Sequence, residues 1–271
     1  MGALAALLRP PNAPIRGWRG RRVWIVGASS GIGAALARTL AARGARLALS
    51  ARGREALEKV AADCGAAMDG EPALVEPLDL TRAEDFAAVR DRLLARWGGL
   101  DLVVLNAGTY RPARAWELTP AAIRDTMNTN LIGPMDAVAA LAPTLCAQGE
   151  GAIALVGSVA GYGGLPKATV YGPSKAALAN FAETLHLDLA PRGVSVFLIS
   201  PGFVATPLTA ANDFHMPALQ TPAQAAEAIV AGFARGAFEI HFPRRFTMVL
   251  RLLRWLPRRL YFPLVRKVTG L

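Results

Sequence analysis

The residues best suited to chemistry lie between Ser158 and Lys175, S-V-A-G-Y-G-G-L-P-K-A-T-V-Y-G-P-S-K. Ser158 ends an apolar run, Tyr171 follows thirteen residues later, and Lys175 comes four after that. On a helix, residues four apart share a face, so Tyr171 and Lys175 would point into one space. A serine at the end of the preceding strand could meet them there. A free tyrosine, with a pKa of about 10, is a poor acid or base at neutral pH. A nearby ammonium favours the phenolate and lowers that value. With a serine hydroxyl to hold an oxygen, the three could pass a proton to or from a carbonyl or alcohol oxygen. They cannot carry a hydride, so redox chemistry here needs a cofactor. Y-x-x-x-K also occurs on ordinary surface helices, and its surroundings must decide its meaning.

Those surroundings read as strands alternating with helices. Val23 to Val26 is strand-like and runs into Gly27-Ala28-Ser29-Ser30-Gly31-Ile32-Gly33, followed by a helical stretch to Ala42. A glycine turn between strand and helix lets backbone approach a pyrophosphate, and the helix N-terminus attracts its charge. Arg46 to Ala51 is a second strand. It ends at Arg52, where an acid would select NAD; a guanidinium there suits a 2′-phosphate or is simply solvated. Ala73 to Leu78 leads to Asp79-Leu80-Thr81, with Thr81 and Glu84 spaced as a capping box. Leu100 to Leu105 precedes Asn106-Ala107-Gly108. Thr119 opens a long helix through about Leu141 that carries Asn130, whose type and place alone read as a surface position. Ala152 to Val156 and Val194 to Ile199 complete the buried strands, the second ending at Ser200-Pro201-Gly202. The pattern predicts an α/β fold with a doubly wound parallel sheet, three-layered and Rossmann-type. Gly27, Asn106, Ser158 and Pro201 then share its ligand-binding end.

Composition narrows the class. A chain of 271 residues that is 53% hydrophobic has ample material for one large α/β domain. The net charge of +10 sits at the two ends. Residues 1–22 hold five arginines and no acid, and 239–271 hold eight basic residues and one acid, leaving 17 basic and 19 acidic in 23–238. That argues against a nucleic-acid-binding face on the core. Cys64 and Cys146 stand apart, which suits a reducing compartment, and His186, His215 and His241 form no ligand pattern, so no metal is expected. Met1 to Leu8 is too short for a signal h-region, Ala6 breaks the myristoylation pattern, and Pro10, Pro11 and Pro14 break any helix. A basic leader over 1–22, loosely held or laid on a surface, is expected.

In order and spacing the chain resembles the short-chain dehydrogenase/reductase family, NADP-dependent type, over about Val23 to His241. The pieces are the Gly27–Gly33 turn, Asp79-Leu80-Thr81, Asn106-Ala107-Gly108, Asn130-Leu131-Ile132-Gly133, Ser158 with Tyr171-Gly172-Pro173-Ser174-Lys175, and Pro201-Gly202-Phe203-Val204-Ala205-Thr206. The resemblance implies that Gly27, Ser29, Ser30, Gly31, Ile32 and Gly33 surround the pyrophosphate and adenosine side. Asp79 and Leu80 would meet the adenine, and Asn106, Ala107 and Gly108 the ribose. Pro201, Gly202, Val204 and Thr206 would hold the nicotinamide end. It also implies a catalytic tetrad of Asn130, Ser158, Tyr171 and Lys175. Tyr171 would protonate the substrate oxygen as hydride is delivered from NADPH, Ser158 would polarise the carbonyl, Lys175 would lower the tyrosine pKa and bind the nicotinamide ribose, and Asn130 would keep a relay water. Two positions depart from the family: Val26 replaces a common Thr, and Leu105 replaces the first Asn of N-N-A-G. Pro173 is tolerable only if its helix starts just upstream.

Leu208 to Thr221, which closes over substrate in the family, is apolar here (Leu208, Ala210, Ala211, Phe214, Met216, Pro217, Leu219), with Asp213 and His215 as its main polar groups. It suits either a lipid- or steroid-like carbonyl or alcohol substrate, or an apolar lid over any small substrate. Ala237 to Phe242 reads as a last strand. Residues 243–271 form a basic amphipathic tail with a helix over Phe246 to Leu256, suited either to an anionic membrane surface or to packing on the protein itself. The expected organisation is leader 1–22, catalytic domain 23–242 and tail 243–271. The expected protein is a cytoplasmic NADPH-dependent oxidoreductase touching a membrane's inner face through 244–271, a homodimer or homotetramer by resemblance. The alternative is a non-catalytic NADP-binding adaptor acting through its tail.

Overall fold

A computed structural model describes residues 9–65, 72–210, 212, 214 and 216–269. Among them, seven strands form one parallel sheet in the order β3-β2-β1-β4-β5-β6-β7. They are β1 (Arg22–Val26), β2 (Arg46–Ser50), β3 (Leu74–Val75), β4 (Leu102–Leu105), β5 (Gly151–Val156), β6 (Val194–Pro201) and β7 (Glu239–Phe242). The intervening helices are α1 (Gly31–Ala41), α2 (Arg54–Gly65), α3 (Ala83–Trp97), α4 (Pro120–Met127), α5 (Gly133–Gln148), α6 (Tyr171–Leu189) and α7 (Pro222–Arg235). Helices α8 (Arg244–Arg254) and α9 (Arg258–Thr269) follow the last strand.

The strands are unbroken apolar runs because both faces of the sheet are covered. Successive residues alternate between two cores. Val23 and Ile25 of β1 pack with α1, α2 and α7, whereas Trp24 and Val26 pack with α3, α5 and α6. Trp24 stacks on Phe86 at 4.4 Å and donates its indole N–H to Ser50 Oγ at 2.9 Å. Val26 and Leu105, the two departures from the family pattern, are register partners on adjacent strands and lie in the same core. They amount to one exchange, an apolar cross-strand pair where a polar brace was expected. Strand order reverses at β1 and β4, which opens the crevice where such sheets bind ligands.

Three expectations are corrected. From Pro10 onward the leader is not loose. Asn12, Ile15 and Trp18 are buried, the Asn12 amide donates to Val196 O at 2.7 Å, and the Val196 N–H donates back to Asn12 Oδ1 at 3.0 Å. Residues 10–21 therefore belong to the domain's packing, while 1–8 lie outside the described residues. Thr81 does not cap α3. Its hydroxyl donates to Asp79 Oδ1 at 2.8 Å, and the cap position falls on Arg82. The long helix from Thr119 extends past Leu141 to Gln148 and contains a π-helical turn over Asn128–Ile132.

Helix α8 starts at Arg244, two residues before the expected Phe246, a second helix α9 follows at Arg258, and their inner sides pack on the domain. Thr247 is fully buried with its Oγ1 2.6 Å from His241 Nδ1, and Tyr261 donates to Gly164 O at 2.8 Å. Cys64 and Cys146 are free thiols, and burial pushes the Cys64 thiol up to about 11. Among the described residues no His, Cys, Asp and Glu side chains cluster in a way that could hold a metal.

Candidate active site

One cleft of about 820 Å3 runs along the carboxyl ends of the strands. The expected cofactor residues Gly27, Ser29, Ser30, Gly31 and Ile32 line it beside α1. Arg52, Asp79 and Leu80 line it past β2 and β3, and Asn106, Ala107 and Gly108 past β4. Pro201, Gly202, Val204 and Thr206 line the opposite end, and Ser158, Tyr171 and Lys175 lie between. Gly33 and Asn130 do not line it, and both act from behind the wall.

The turn after β1 works because it has no side chains to accommodate. Gly27 has φ of 90°, and a Cβ there would lie 2.5 Å from Ala107 N. Gly31 has φ of 55°, with Thr206 Cγ2 2.9 Å from the place of its missing Cβ. A Cβ at Gly33 would overlap the Gly27 carbonyl oxygen, which also accepts the Asn106 amide at 2.7 Å. Asn106 thus clamps the glycine turn to the end of β4, a bracing role rather than the ribose contact alone. The turn delivers Ser29 to Ile32 to the N-terminus of an eleven-residue helix, where N–H groups attract anions. These residues fit a dinucleotide's phosphates. At the far side Arg52 is exposed and no acid ends β2. Burial resists ionisation of Asp79, but hydrogen bonds from the Thr81 N–H and hydroxyl, with Arg52 and Arg82 nearby, hold its carboxyl below the usual range.

Tyr171 is the first residue of α6, so Pro173 falls in the first turn, where its missing N–H is not needed. Ser158 follows β5 and accepts the Ala160 N–H at 3.1 Å. The Tyr171 phenol shares the cleft with Ser158, which acts to lower its pKa, and its ring meets Tyr110 edge-on at 4.9 Å. Lys175 Nζ lies 5.8 Å from the centroid of the Tyr171 ring and donates to Val156 O at 2.8 Å. Here the structure reverses the electrostatic expectation. Burial pushes the Tyr171 phenol up to about 12, against the lowering effect of Ser158, and burial brings Lys175 down to about 8. Desolvation disfavours the charged form of each group and is the largest cause of both shifts.

Asn130, read from sequence alone as a surface residue, is fully buried. The π turn aims it inward: its Oδ1 accepts the Thr109 N–H at 2.8 Å, and its Nδ2 donates to Thr109 O at 2.9 Å and to Ser174 Oγ at 3.2 Å. Such turns interrupt helices frequently at functional sites. With the amide spent on Thr109 and Ser174, a relay role for Asn130 has to use its main chain. A Cβ at Gly108 would lie 3.4 Å from Asn130 Oδ1 and 3.6 Å from Lys175 Nζ, so this glycine joins the two. Sequence reasoning missed Thr109 and Tyr110 in the lining. Their place just past β4, beyond Asn106-Ala107-Gly108, was the available signal. Of the lid, Leu208 and Thr209 line the cleft, while Ala211, Asp213 and His215 lie outside the described residues.

Comparison with known proteins agrees with this geometry. The short chain dehydrogenase family model matches residues 21–216. An uncharacterized oxidoreductase of Myxococcus xanthus is 38% identical over 251 residues, 92% of this chain and 97% of the relative. The 11-beta-hydroxysteroid dehydrogenase A of Sesamum indicum is 35% identical over 191 residues, 70% of this chain and 54% of that one. A Sphingobium yanoikuyae short-chain dehydrogenase solved with NADPH superposes with a TM-score of 0.75 at 30% identity, covering 84% of this chain and 92% of that one. A Burkholderia phymatum short-chain dehydrogenase/reductase solved with NAD gives 0.80 at 24%, covering 88% and 94%, a likeness of fold. With the family model spanning most of the chain and a relative matched almost end to end, this protein belongs to the short-chain dehydrogenase/reductase family of nicotinamide-cofactor oxidoreductases.

Proposed function

We propose that the protein is an NADPH-dependent oxidoreductase that interconverts a carbonyl and an alcohol on an apolar, lipid- or steroid-like small molecule. The observation that carries this reading is the meeting of Tyr171, Ser158 and Lys175 in the cleft. The bound cofactor supplies the hydride. In reduction Ser158 donates to the substrate oxygen and Tyr171 gives it a proton. A phenol neutral up to about 12 keeps that proton through the physiological range. Lys175, near 8, is the adjoining group able to replace it. Asn130 and Ser174 fix the start of α6, since Ser174 Oγ also donates to Tyr171 O at 2.7 Å.

Preference for NADPH over NADH is supported by Arg52 at the cleft and by the absence of an acid at the end of β2. The NADPH complex of the Sphingobium relative favours it, and the NAD complex of the Burkholderia protein stands against it. The apolar substrate class is supported by the lid composition and by the steroid named for the Sesamum relative. A cytoplasmic homodimer or homotetramer that rests on a membrane through 244–271 completes the reading. The alternative, a binding-only adaptor, has no use for a tyrosine–lysine pair set in the cleft.

The test is fluorescence titration with NADPH and NADH, followed by turnover across short and long apolar ketones and aldehydes. Tighter NADPH binding with faster turnover of the long apolar carbonyls is expected. NADPH binding without turnover of any panel member would favour the adaptor, and preference for NADH would remove Arg52 from the argument.

A further inference from the structure

Helices α8 and α9 carry apolar side chains where a surface helix keeps its polar ones. On α8, Phe246, Leu250 and Leu253 turn inward around the buried Thr247. Met248, Leu252 and Trp255, spaced i, i+4, i+7, form an outer stripe that is 44%, 64% and 85% exposed. Residues at that spacing on an ordinary surface helix face the core. Helix α9 repeats the arrangement: Tyr261 is buried, while Leu260, Leu264 and Val268, four apart, are exposed with Phe262 nearby. Arg244, Arg245 and Arg251 flank the α8 stripe. Residues 244–271 contain eight basic side chains and no acidic one.

The inner side of this surface touches the substrate end of the cleft. Phe246 lies 5.7 Å from Phe203, and a Cβ at Gly202, which lines the cleft, would be 3.1 Å from Phe246 Cδ1. Phe203 in turn meets lid residue Phe214 at 5.7 Å, and Phe214, Leu208 and Leu219 are exposed. Arg251 pairs with Glu239 at 3.5 Å, and Glu239 accepts the hydroxyl of Tyr162, four residues past Ser158, at 2.5 Å. The tail is therefore fastened to both loops that frame the cleft.

Charge selects what covers this face. A second copy seated stripe to stripe would bring eight cations against eight. An anionic lipid surface receives the basic rim at its headgroups and the apolar stripe at the acyl boundary, with tryptophan at the interface it favours. We propose that α8, α9 and the lid residues Leu208, Phe214 and Leu219 form one membrane-docking face that seats on anionic lipid and opens the substrate end of the cleft toward the bilayer. The apolar substrate then passes between lipid and site without crossing water. The substrate route rests on the oxidoreductase reading above; the docking face does not.

The test uses the full chain and vesicles of phosphatidylcholine with and without phosphatidylserine. Wild type is expected to sediment with the anionic vesicles at physiological salt and to be released at high salt. Leu252→Glu/Trp255→Glu is expected to lose about tenfold or more in vesicle affinity. That variant should keep kcat and KM for a short water-soluble carbonyl, and show about a tenfold higher KM for a long-chain ketone presented in vesicles. Phe214→Trp reports on the lid without reference to activity, because brominated lipid should quench its added emission on vesicles. Indifference of wild type to anionic vesicles, or equal binding by the double variant, would overturn the proposal. So would a wild-type dimer that the double variant dissolves without any vesicle binding. Unquenched Phe214→Trp emission on bound vesicles would overturn the placement of the lid. Failure to turn over any carbonyl, with vesicle binding and quenching intact, would count against the oxidoreductase reading alone.

Discussion

At the scale of single residues, the cleft holds a phenol that keeps its proton and an amine that nearly loses it. Tyr171→Phe removes the phenol and little else, since the ring can still meet Tyr110. Its kcat is expected to fall about 10²- to 10⁴-fold, the usual worth of a positioned proton donor, with NADPH affinity by titration almost unchanged. The pKa directions also fix a pH profile. Lys175, lowered by burial to about 8, is protonated below that pH and neutral above it. Reduction consumes a proton, so its kcat should be level below about pH 8 and fall above it; oxidation, which needs the phenolate, should rise with pH. A reductive rate that climbs between pH 7 and 10 would contradict the assignment. At the other end of the cleft, on the proposed NADPH reading, Arg52→Asp would exchange a 2′-phosphate partner for a ribose-hydroxyl partner. It should move the kcat/KM preference from NADPH toward NADH by about tenfold or more. The residue types were legible from sequence. Their protonation was not, because burial is a property of the fold.

At the scale of elements, the site is a set of strand ends, and this is why so much of it could be read. An apolar run followed by glycine, Asn-Ala-Gly, Ser or Pro-Gly marks the carboxyl end of a parallel strand wherever it occurs, and all such ends meet at one edge of the sheet. Two elements escaped that logic. The π turn at Asn128–Ile132 has no composition of its own, so Asn130 looked like a surface residue until the extra backbone residue was seen to aim it inward. The Thr81 to Glu84 spacing looked like a cap, but Asp79 captured the Thr81 hydroxyl and the helix began two residues later. The first turn of α1 is sensitive to change. Gly33→Ala would place a methyl in the Gly27 carbonyl and 2.7 Å from Asn106 Nδ2, breaking the clamp between β1 and β4. Backbone cannot yield as a flexible side chain can. The expected cost is about 1–3 kcal/mol, read by thermal unfolding, together with weakened NADPH binding. Gly17→Ala, outside the cleft and with no atom near the added methyl, should show neither effect and serves as the control.

At the scale of the molecule, the least legible feature was contact between the chain's two ends. Residues 10–21 look like a dispensable basic leader because their role depends on partners about 180 residues away. Asn12 is buried at the edge of β6, just before β7 begins its pairing at Leu198. Its amide there does the work of a neighbouring strand, donating to the Val196 carbonyl and accepting the Val196 N–H. Next to it the Ile15 N–H donates to Phe233 O at 2.9 Å, and Trp18 packs against the Phe233 ring. Asn12→Ala leaves two buried backbone groups on β6 unpaired, each costing about 1–3 kcal/mol. For a domain of this size that corresponds to a Tm lower by roughly 5–15 °C. The substitution lies far from the cleft in the chain's packing, so kcat at a temperature where the protein is folded should not change. Asn12→Asp separates hydrogen bonding from side-chain volume. At neutral pH its carboxylate still accepts the Val196 N–H but faces the Val196 carbonyl without a proton to offer. Its folded-state pKa is therefore raised, and stability is highest in acid and lost as pH rises through that value. The Tm gap between Asn12→Asp and wild type should narrow on acidification, whereas the gap for Asn12→Ala stays constant. If both gaps were small and independent of pH, Asn12 would be a passenger and residues 10–21 a leader after all.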